Sequence, residues 1–84
     1  MEVVFNKKFK KAIVKLPKNV QERFREKFAL FIQDQFHPLL NNHSLHGEYN
    51  HTRSINVTGD YRALYIKNEE KIVFIAVGTH SELY

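Results

Sequence analysis

The segment at residues 54–66 reads SINVTGDYRALYI, and its pattern sets the architecture of the second half of the chain. In its first part, apolar Ile55 and Val57 alternate with polar neighbours, and this period of two is typical of a half-buried β-strand. Residues 58–60 contain a glycine between two polar residues and predict a tight turn, after which residues 61–66 form a second strand. The stretch therefore predicts a β-hairpin in the second half of the chain.

The residues that follow extend this sheet. Residues 68–70 predict another turn, and residues 72–77 are apolar at every position, as expected of a central strand that is buried on both faces. The last segment, residues 78–84, is interpreted as a short polar tail with two apolar anchors.

The first half of the chain has helical periodicity instead. Residues 3–5 are β-prone, and Asn6 is a suitable N-cap for a helix that Pro17 ends. The apolar residues of this helix share one stripe: Phe5, Phe9, Ala12, Ile13 and Leu16.

A second helix begins near Pro17 and ends before Pro38. Its apolar stripe consists of Val20, Phe24, Phe28 and Phe31, widened by Ala29, Ile32 and Phe36. Residues 37–48 are rich in turn-forming residues and predict a loop that carries three histidines. The expected order is thus β-α-α-β-β-β, an α+β domain over residues 1–84 in which a helical hairpin packs on an antiparallel sheet.

The amino-acid composition excludes several classes of function. The chain of 84 residues is 43% hydrophobic, 13% aromatic and 26% charged, which suits one core and one domain. It has no cysteine, so disulfides, thiolate zinc sites and thiol nucleophiles are excluded, and a reducing, cytoplasmic setting is expected. No apolar run approaches the roughly 20 residues of a membrane span, and the first residues lack the apolar core of a signal peptide. We therefore expect no association with a membrane.

The net charge of +4 favours a polyanionic partner. Nucleic acid is the most common polyanion in a cytoplasm, but an acidic protein, or solubility alone, explains the charge equally well.

Several residues near strand ends and turns can carry chemistry: His43, Arg53, Asp60, Arg62, His80 and Tyr84. Histidine moves protons near neutral pH, and arginine holds phosphate oxygens as charge develops, so this set suits phosphodiester chemistry. Each residue also has an ordinary structural explanation, such as a solvated histidine or a surface pair of Asp60 and Arg62.

Arg53 shares strand parity with apolar Ile55 and Val57, so its charge needs a partner on that side of the sheet. Tyr61 and Tyr84 lie at polar junctions, where a ring either stacks on a base or simply packs. His43 and His46 lack the further ligands that zinc requires, so we expect no metal site and no cofactor.

Three segments resemble the RelE/ParE toxin superfamily, and most of all its YafQ-like, RelE/StbE-type toxins of type II toxin–antitoxin modules. They are HSLHG at 43–47, RSINVTGDYR at 53–62 and GTHSELY at 78–84. The predicted order of helices and strands is also the order of that family, so the resemblance covers the whole chain and implies a RelE-like fold.

The resemblance implies a toxin that acts as a ribosome-dependent mRNA endoribonuclease. Such an enzyme cuts the codon in the ribosomal A site, needs no metal, and lets the ribose 2′-hydroxyl attack the adjacent phosphate. The implied partners are the ribosome, mRNA and a cognate antitoxin that neutralises a monomeric toxin within the complex.

By position, the resemblance assigns His80 as general acid, Asp60 as a candidate base, and His43 as a second base or phosphate ligand. Tyr61 stands where relatives often have tryptophan and Tyr84 where some have phenylalanine, so both are expected to hold or stack RNA. Arg53 and Arg62 are expected to contact phosphate, on chemical grounds more than by motif.

Two positions depart from the family pattern. Asn56 stands where YafQ-type toxins place a histidine, and Ala76 stands where they place an arginine. An acid–base group and a cation are missing, so either the remaining arginines compensate, or cleavage is slow, altered in specificity or lost. The alternatives are a non-enzymatic ParE-like inhibitor of gyrase, which has no chemical need for His43 and His80, and a basic RNA-binding domain with a weakened active site.

Overall fold

Five strands form one mixed sheet in the computed structural model, which describes residues 1–47 and 51–84. The order across the sheet is β1-β5-β4-β3-β2. The strand β1 runs parallel to β5, and the other neighbours are antiparallel. The strands are β1 Glu2–Phe5, β2 His43–Ser44, β3 Thr52–Asn56, β4 Tyr61–Asn68 and β5 Lys71–Thr79.

The helices are α1 Lys7–Ile13, α2 Lys18–Gln33 and α3 His80–Leu83, with a 3₁₀ turn at Pro38–Leu40. Asn6 caps α1, because its Oδ1 accepts a hydrogen bond of 2.8 Å from the Phe9 backbone N–H. Pro17 occupies the N-cap position of α2, so the proline that ends the first helical pattern also begins the second helix.

The core lies between α1, α2 and the face of the sheet that they cover. Phe74 of β5 is fully buried and lies at its centre. Ring centroids 5.4–5.9 Å from it belong to Phe5, Phe9, Phe24, Phe28, Phe31 and Tyr65. Such stacked, tilted and edge-to-face pairs add to the stabilisation from apolar burial. The core is therefore largely a cluster of phenylalanines.

The predicted α+β order with a helical hairpin on a sheet is confirmed, and the structure corrects some of its details. The sheet is mixed, since β1 is parallel to β5; residue alternation is the same in parallel and antiparallel strands, so it could not show this. The predicted loop contains β2 and the 3₁₀ turn, which are too short to have a period. The part of that loop at residue 48, and the neighbouring residues 49 and 50, lie outside the described residues.

Two helical predictions also change. The helix α2 ends at Gln33, so Phe36, expected on its apolar stripe, lies beyond the helix and is 59% exposed. Ile32, expected on the same stripe, lies within α2 but on its outer side, where it is 58% exposed. The predicted polar tail contains α3. Among the described residues, no helix is long and apolar enough to cross a membrane.

Candidate active site

The sheet has two chemically different faces, because paired residues of neighbouring strands share a side. Ile55, Ala63 and Val77 are in register on the face that the helices α1 and α2 cover. Ser54 and Leu64 are paired on the opposite face, which we call the distal face. The distal face also includes the paired Arg62 and Gly78.

The aromatic residue at the chain's last position links α3 to the distal face. The Tyr84 hydroxyl donates a hydrogen bond of 2.5 Å to Ser54 Oγ, and Ser54 is fully buried. The Tyr84 ring lies edge-on to the His80 ring, with centroids 4.4 Å apart. Tyr84 therefore holds His80 and β3 in a fixed relation.

The short helix α3 is held in place at its first turn. The Thr79 N–H and hydroxyl donate to Glu82 Oε1 at 2.7 and 2.9 Å, and the Glu82 N–H donates to Thr79 Oγ1 at 3.2 Å. This reciprocal arrangement is a capping box. The His80 backbone N–H also donates to the Asp60 carbonyl at 2.9 Å, which places the β3–β4 turn beside His80.

His43 reaches the same region from the other edge of the sheet. It pairs with Ser54, so its side chain shares the distal face with Ser54 and Tyr84. Its Nδ1 lies 2.8 Å from the Asn41 carbonyl oxygen, which can only accept a hydrogen bond, so Nδ1 carries the proton. In the neutral ring Nε2 is then the basic nitrogen.

The segment that carries His43 is anchored to the core through Asn42. The Asn42 Nδ2 group donates to the Tyr65 hydroxyl at 2.7 Å and to the Gln35 carbonyl at 3.0 Å. Tyr65 is fully buried, and its hydroxyl also accepts from Gln35 Nε2 at 2.9 Å. A buried network of this kind fixes the loop, and with it the position of His43.

Arg62 belongs to the distal face by register, next to Gly78 of β5. Its Nη1 donates to the carbonyls of Thr58, Gly59 and Tyr61 at 2.9, 3.2 and 3.0 Å. These bonds hold the guanidinium against the turn. A guanidinium has three further N–H groups, on Nε and Nη2, that suit phosphate oxygens.

The structure does not bring Arg53 or Tyr61 into this group. Arg53 pairs with core residue Tyr65, donates from Nε to Asn42 Oδ1 at 2.7 Å, and lies 5.2 Å from the Phe36 ring centroid. The Tyr61 side chain packs against the core. His43, His80 and Tyr84 thus meet on the distal face with Arg62 nearby, and Asp60 joins them through its backbone.

The two positions that depart from the family pattern lie on the same face. Asn56 pairs with Arg62, and its Oδ1 is buried without a hydrogen-bond partner among the described residues. Ala76 pairs with Leu64 and lines a cavity of about 440 Å³ whose wall includes Lys8 and Glu82.

Nothing in the described ranges, 1–47 and 51–84, groups three or more histidine or carboxylate side chains in a way that could hold a metal ion.

Sequence reasoning missed the residues that position the site. Ser54 gave no signal, because a serine on a strand's polar side is ordinary. Thr79 and Glu82 did give one, since Thr-x-x-Glu is the capping-box spacing and predicts a helix start. Asn42 could be found only from the fold.

Solved structures with the same fold come from toxin–antitoxin systems. YafQ from E. coli is 19% identical with a TM-score of 0.81, over 99% of this chain and 97% of that chain. The E. coli DinJ–YafQ complex gives 20% identity and a TM-score of 0.77, over 99% and 96%. The archaeal RelE–RelB complex from Pyrococcus horikoshii gives 23% and 0.72, over 93% and 92%. The expected RelE-like fold is thereby confirmed, and it defines the structural class.

The chain belongs to the YafQ family, described as bacterial toxins of type II toxin–antitoxin systems, whose sequence profile matches residues 1–84. Endoribonuclease activity is the activity known for toxins of this family. Among curated proteins, none matches the sequence significantly.

Proposed function

We propose that this toxin cuts mRNA in the ribosomal A site, and that the distal face is its active site. The observation that carries the proposal is that four residues come together on that face: His43, Ser54, Tyr84 and His80. His43 pairs with Ser54, Ser54 accepts a hydrogen bond from Tyr84, and the Tyr84 ring lies against the His80 ring, so one imidazole lies at each end of the group. Cleavage of RNA without water as the nucleophile needs one group to accept a proton and another to donate one. Two imidazole side chains can supply both, because histidine is the most common general acid and base in catalysis.

The reaction is an internal transfer. A base takes the proton of the ribose 2′-hydroxyl, and the 2′ oxygen attacks the adjacent phosphorus. The bond from phosphorus to the 5′ oxygen of the next nucleotide breaks, and an acid protonates that oxygen. The products are a 2′,3′-cyclic phosphate and a 5′-hydroxyl.

We assign His80 as the acid and His43 as the base. The hydrogen bond from His43 Nδ1 to the Asn41 carbonyl leaves Nε2 as the basic nitrogen, which supports the role of His43. The Asp60 carboxylate is the alternative base, because its residue is exposed and contacts His80 through the backbone.

Tyr84 and Arg62 assist these groups in the proposal. The Tyr84 ring, which is 44% exposed, orients His80 and offers a surface for stacking a base. Arg62 neutralises the charge that develops on the phosphate oxygens. Phosphate contact by Arg53 and base stacking by Tyr61 stay predictions, since both residues lie towards the core side of the sheet.

The proposal includes a cognate antitoxin as partner. The similar structures of YafQ with DinJ and of RelE with RelB are toxin–antitoxin complexes, and the net charge of +4 suits an acidic partner segment. Asn56 and Ala76 remove an acid–base group and a cation, so we expect cleavage that is slower than in relatives that have both.

The test is cleavage of a ribosome-bound message by the purified toxin, mapped by primer extension, with naked RNA of the same sequence as control. We expect cuts at the A-site codon on ribosomes only, and end analysis should find a 2′,3′-cyclic phosphate and a 5′-hydroxyl. His43→Gln and Asp60→Asn then assign the base, since the true base should lose about 100-fold or more in rate.

A folded toxin that arrests growth without cutting any message would contradict the proposal. That result would favour a toxin that acts by binding, as in the ParE-like alternative.

A further inference from the structure

A basic cleft lies between α2 and the Asn56 end of β3, outside the group of residues used above. Among the described residues, β2 pairs with β3 at Arg53 and Ser54, so the Asn56 end of β3 extends beyond β2. The cleft there has a volume of about 370 Å³. Its lining residues are Asn19, Arg23, Lys27, Asn56, Thr58 and Gly59.

The helix α2 supplies the cleft with a row of polar side chains. Asn19, Arg23 and Lys27 are four residues apart, so they lie on one side of the helix. The Lys27 ammonium donates to the Val57 carbonyl at 3.2 Å, which holds its charge against the end of β3. The row therefore faces the sheet edge, where it meets Asn56.

The positive charges around the cleft repel one another. Partial burial lowers the pKa of Lys27, the neighbouring Arg23 and Arg62 guanidinium groups lower it further, and Glu26 partly offsets them. A bound anion would relieve this repulsion.

Another polar side chain of the cleft comes from the sheet. Asn56, the last residue of β3, lines the cleft together with Arg23 and Lys27. A ribose-phosphate unit of RNA carries the anionic oxygens that a guanidinium and an ammonium group bind.

We propose that the cleft between α2 and the end of β3 binds one ribose-phosphate unit of the RNA strand next to the reacting phosphate. Arg23 and Lys27 hold the phosphate oxygens. Asn56 connects the two sites, because it lines the cleft and pairs with Arg62 of the distal face.

This inference deepens the proposed function and rests on it for the choice of RNA as ligand. Binding is therefore measured separately from cleavage. The probe is a fluorescein-labelled single-stranded RNA of ten nucleotides, titrated with the antitoxin-free toxin and followed by fluorescence anisotropy at several salt concentrations. A denaturing gel verifies that the RNA stays intact, and a His80→Gln background replaces the wild type if it does not.

The two matched variants are Arg23→Gln and Arg25→Gln. Both remove one exposed arginine from α2, but Arg25 lies on another side of the helix, beside Phe24 and Lys10. We expect Arg23→Gln to weaken RNA binding about threefold or more at 0.1 M salt and to reduce the salt slope by about 0.7, as for one lost phosphate contact on a single strand. Arg25→Gln should stay within about twofold of the wild type.

Equal losses in Arg23→Gln and Arg25→Gln, or none in either, would overturn the cleft as an RNA site.

The two proposals fail separately. A wild type that never cuts ribosome-bound mRNA, but whose RNA binding still depends on Arg23, would overturn the ribonuclease and keep the cleft. Normal cleavage with no dependence of RNA binding on Arg23 would overturn the cleft and keep the ribonuclease. Thermal unfolding of each variant verifies that the binding changes do not come from lost structure.

Discussion

The two faces of the sheet are built by different means. On the helix-covered face, Phe74 contacts six other rings in a core from which water is excluded. On the distal face, the cover includes a helix of four residues, held by a capping box and by one hydrogen bond from Tyr84 to Ser54. Buried apolar area stabilises the helix-covered face, whereas a few directed hydrogen bonds hold the cover of the distal face in place.

The comparison shows how a chain of 84 residues separates stability from chemistry. The free energy gained from apolar burial grows with the buried area and does not depend on direction, so apolar burial suits the core. Directed hydrogen bonds fix side-chain positions with little total energy, so they suit the proposed active site, in which His43 and His80 must be oriented. Changes on the first face should therefore unfold the protein, and changes on the second should alter function at nearly constant stability.

The largest expected effect is on the helix-covered face. Replacing Phe74 by alanine should lower the free energy of unfolding by about 3–5 kcal/mol, because it leaves a cavity at the centre of the ring cluster. Urea denaturation followed by circular dichroism measures this. Phe36→Ala is the matched control: Phe36 is 59% exposed and meets Arg53, so its loss should be about 1 kcal/mol or less. Similar losses at both positions would show that the ring cluster around Phe74 does not dominate the stability of the fold.

A smaller effect is expected at the junction of α3 with the distal face. Tyr84→Phe removes the hydrogen bond to Ser54 but keeps the ring beside His80, so stability should fall by about 1 kcal/mol. Cleavage should fall several-fold, and Tyr84→Ala should lose more activity for a similar stability, since it also removes the ring. Rates on ribosomes and urea curves for the two variants make this distinction. If Tyr84→Ala cleaves as fast as Tyr84→Phe, the ring has no role in orienting His80.

The smallest effect concerns pH and the capping box. The hydrogen bonds from the Thr79 N–H and hydroxyl lower the pKa of the Glu82 carboxyl below its usual value. A lowered pKa in the folded state means that the carboxylate stabilises α3 above the ordinary glutamate pKa, and that this contribution is lost as the pH falls through the folded value. Hydrogen exchange of the Tyr84 amide, which donates to the His80 carbonyl at 3.0 Å, reports on the helix.

We expect Glu82→Gln to exchange faster than the wild type at pH 6, with the difference shrinking in acid. Glu69→Gln, at the exposed turn between β4 and β5, serves as the control. A difference that persists unchanged in acid would show that the charge of Glu82 plays no part.

The two faces also differ in how well the sequence predicts them. Alternation at Ile55 and Val57 and the helical stripe through Phe9, Phe24 and Phe31 predicted the core, because burial imposes a period on each element. The strand order and the parallel direction of β1 could not be predicted this way, since they depend on contacts between distant segments.

The distal face has no such period. His43 and His80 were found by their chemistry and by resemblance, but nothing near either residue shows that Ser54 and Tyr84 lie between them. Arg53 shows the opposite limit: its parity predicted the side on which it lies, and that side is the core side, away from the two histidines. Residue types show which chemistry a site can perform, whereas the register of the strands decides which residues come together there.

In the proposed mechanism, His80 on the distal face donates the proton in RNA cleavage. The most direct test of this role compares the single-turnover cleavage rate of ribosome-bound mRNA by His80→Gln and His46→Gln, which replace two exposed histidines of which only His80 lies beside Tyr84. We expect a loss of about 100-fold or more for His80→Gln, with urea stability unchanged, and a wild-type rate for His46→Gln. Equal rates for the two variants would contradict the role of His80.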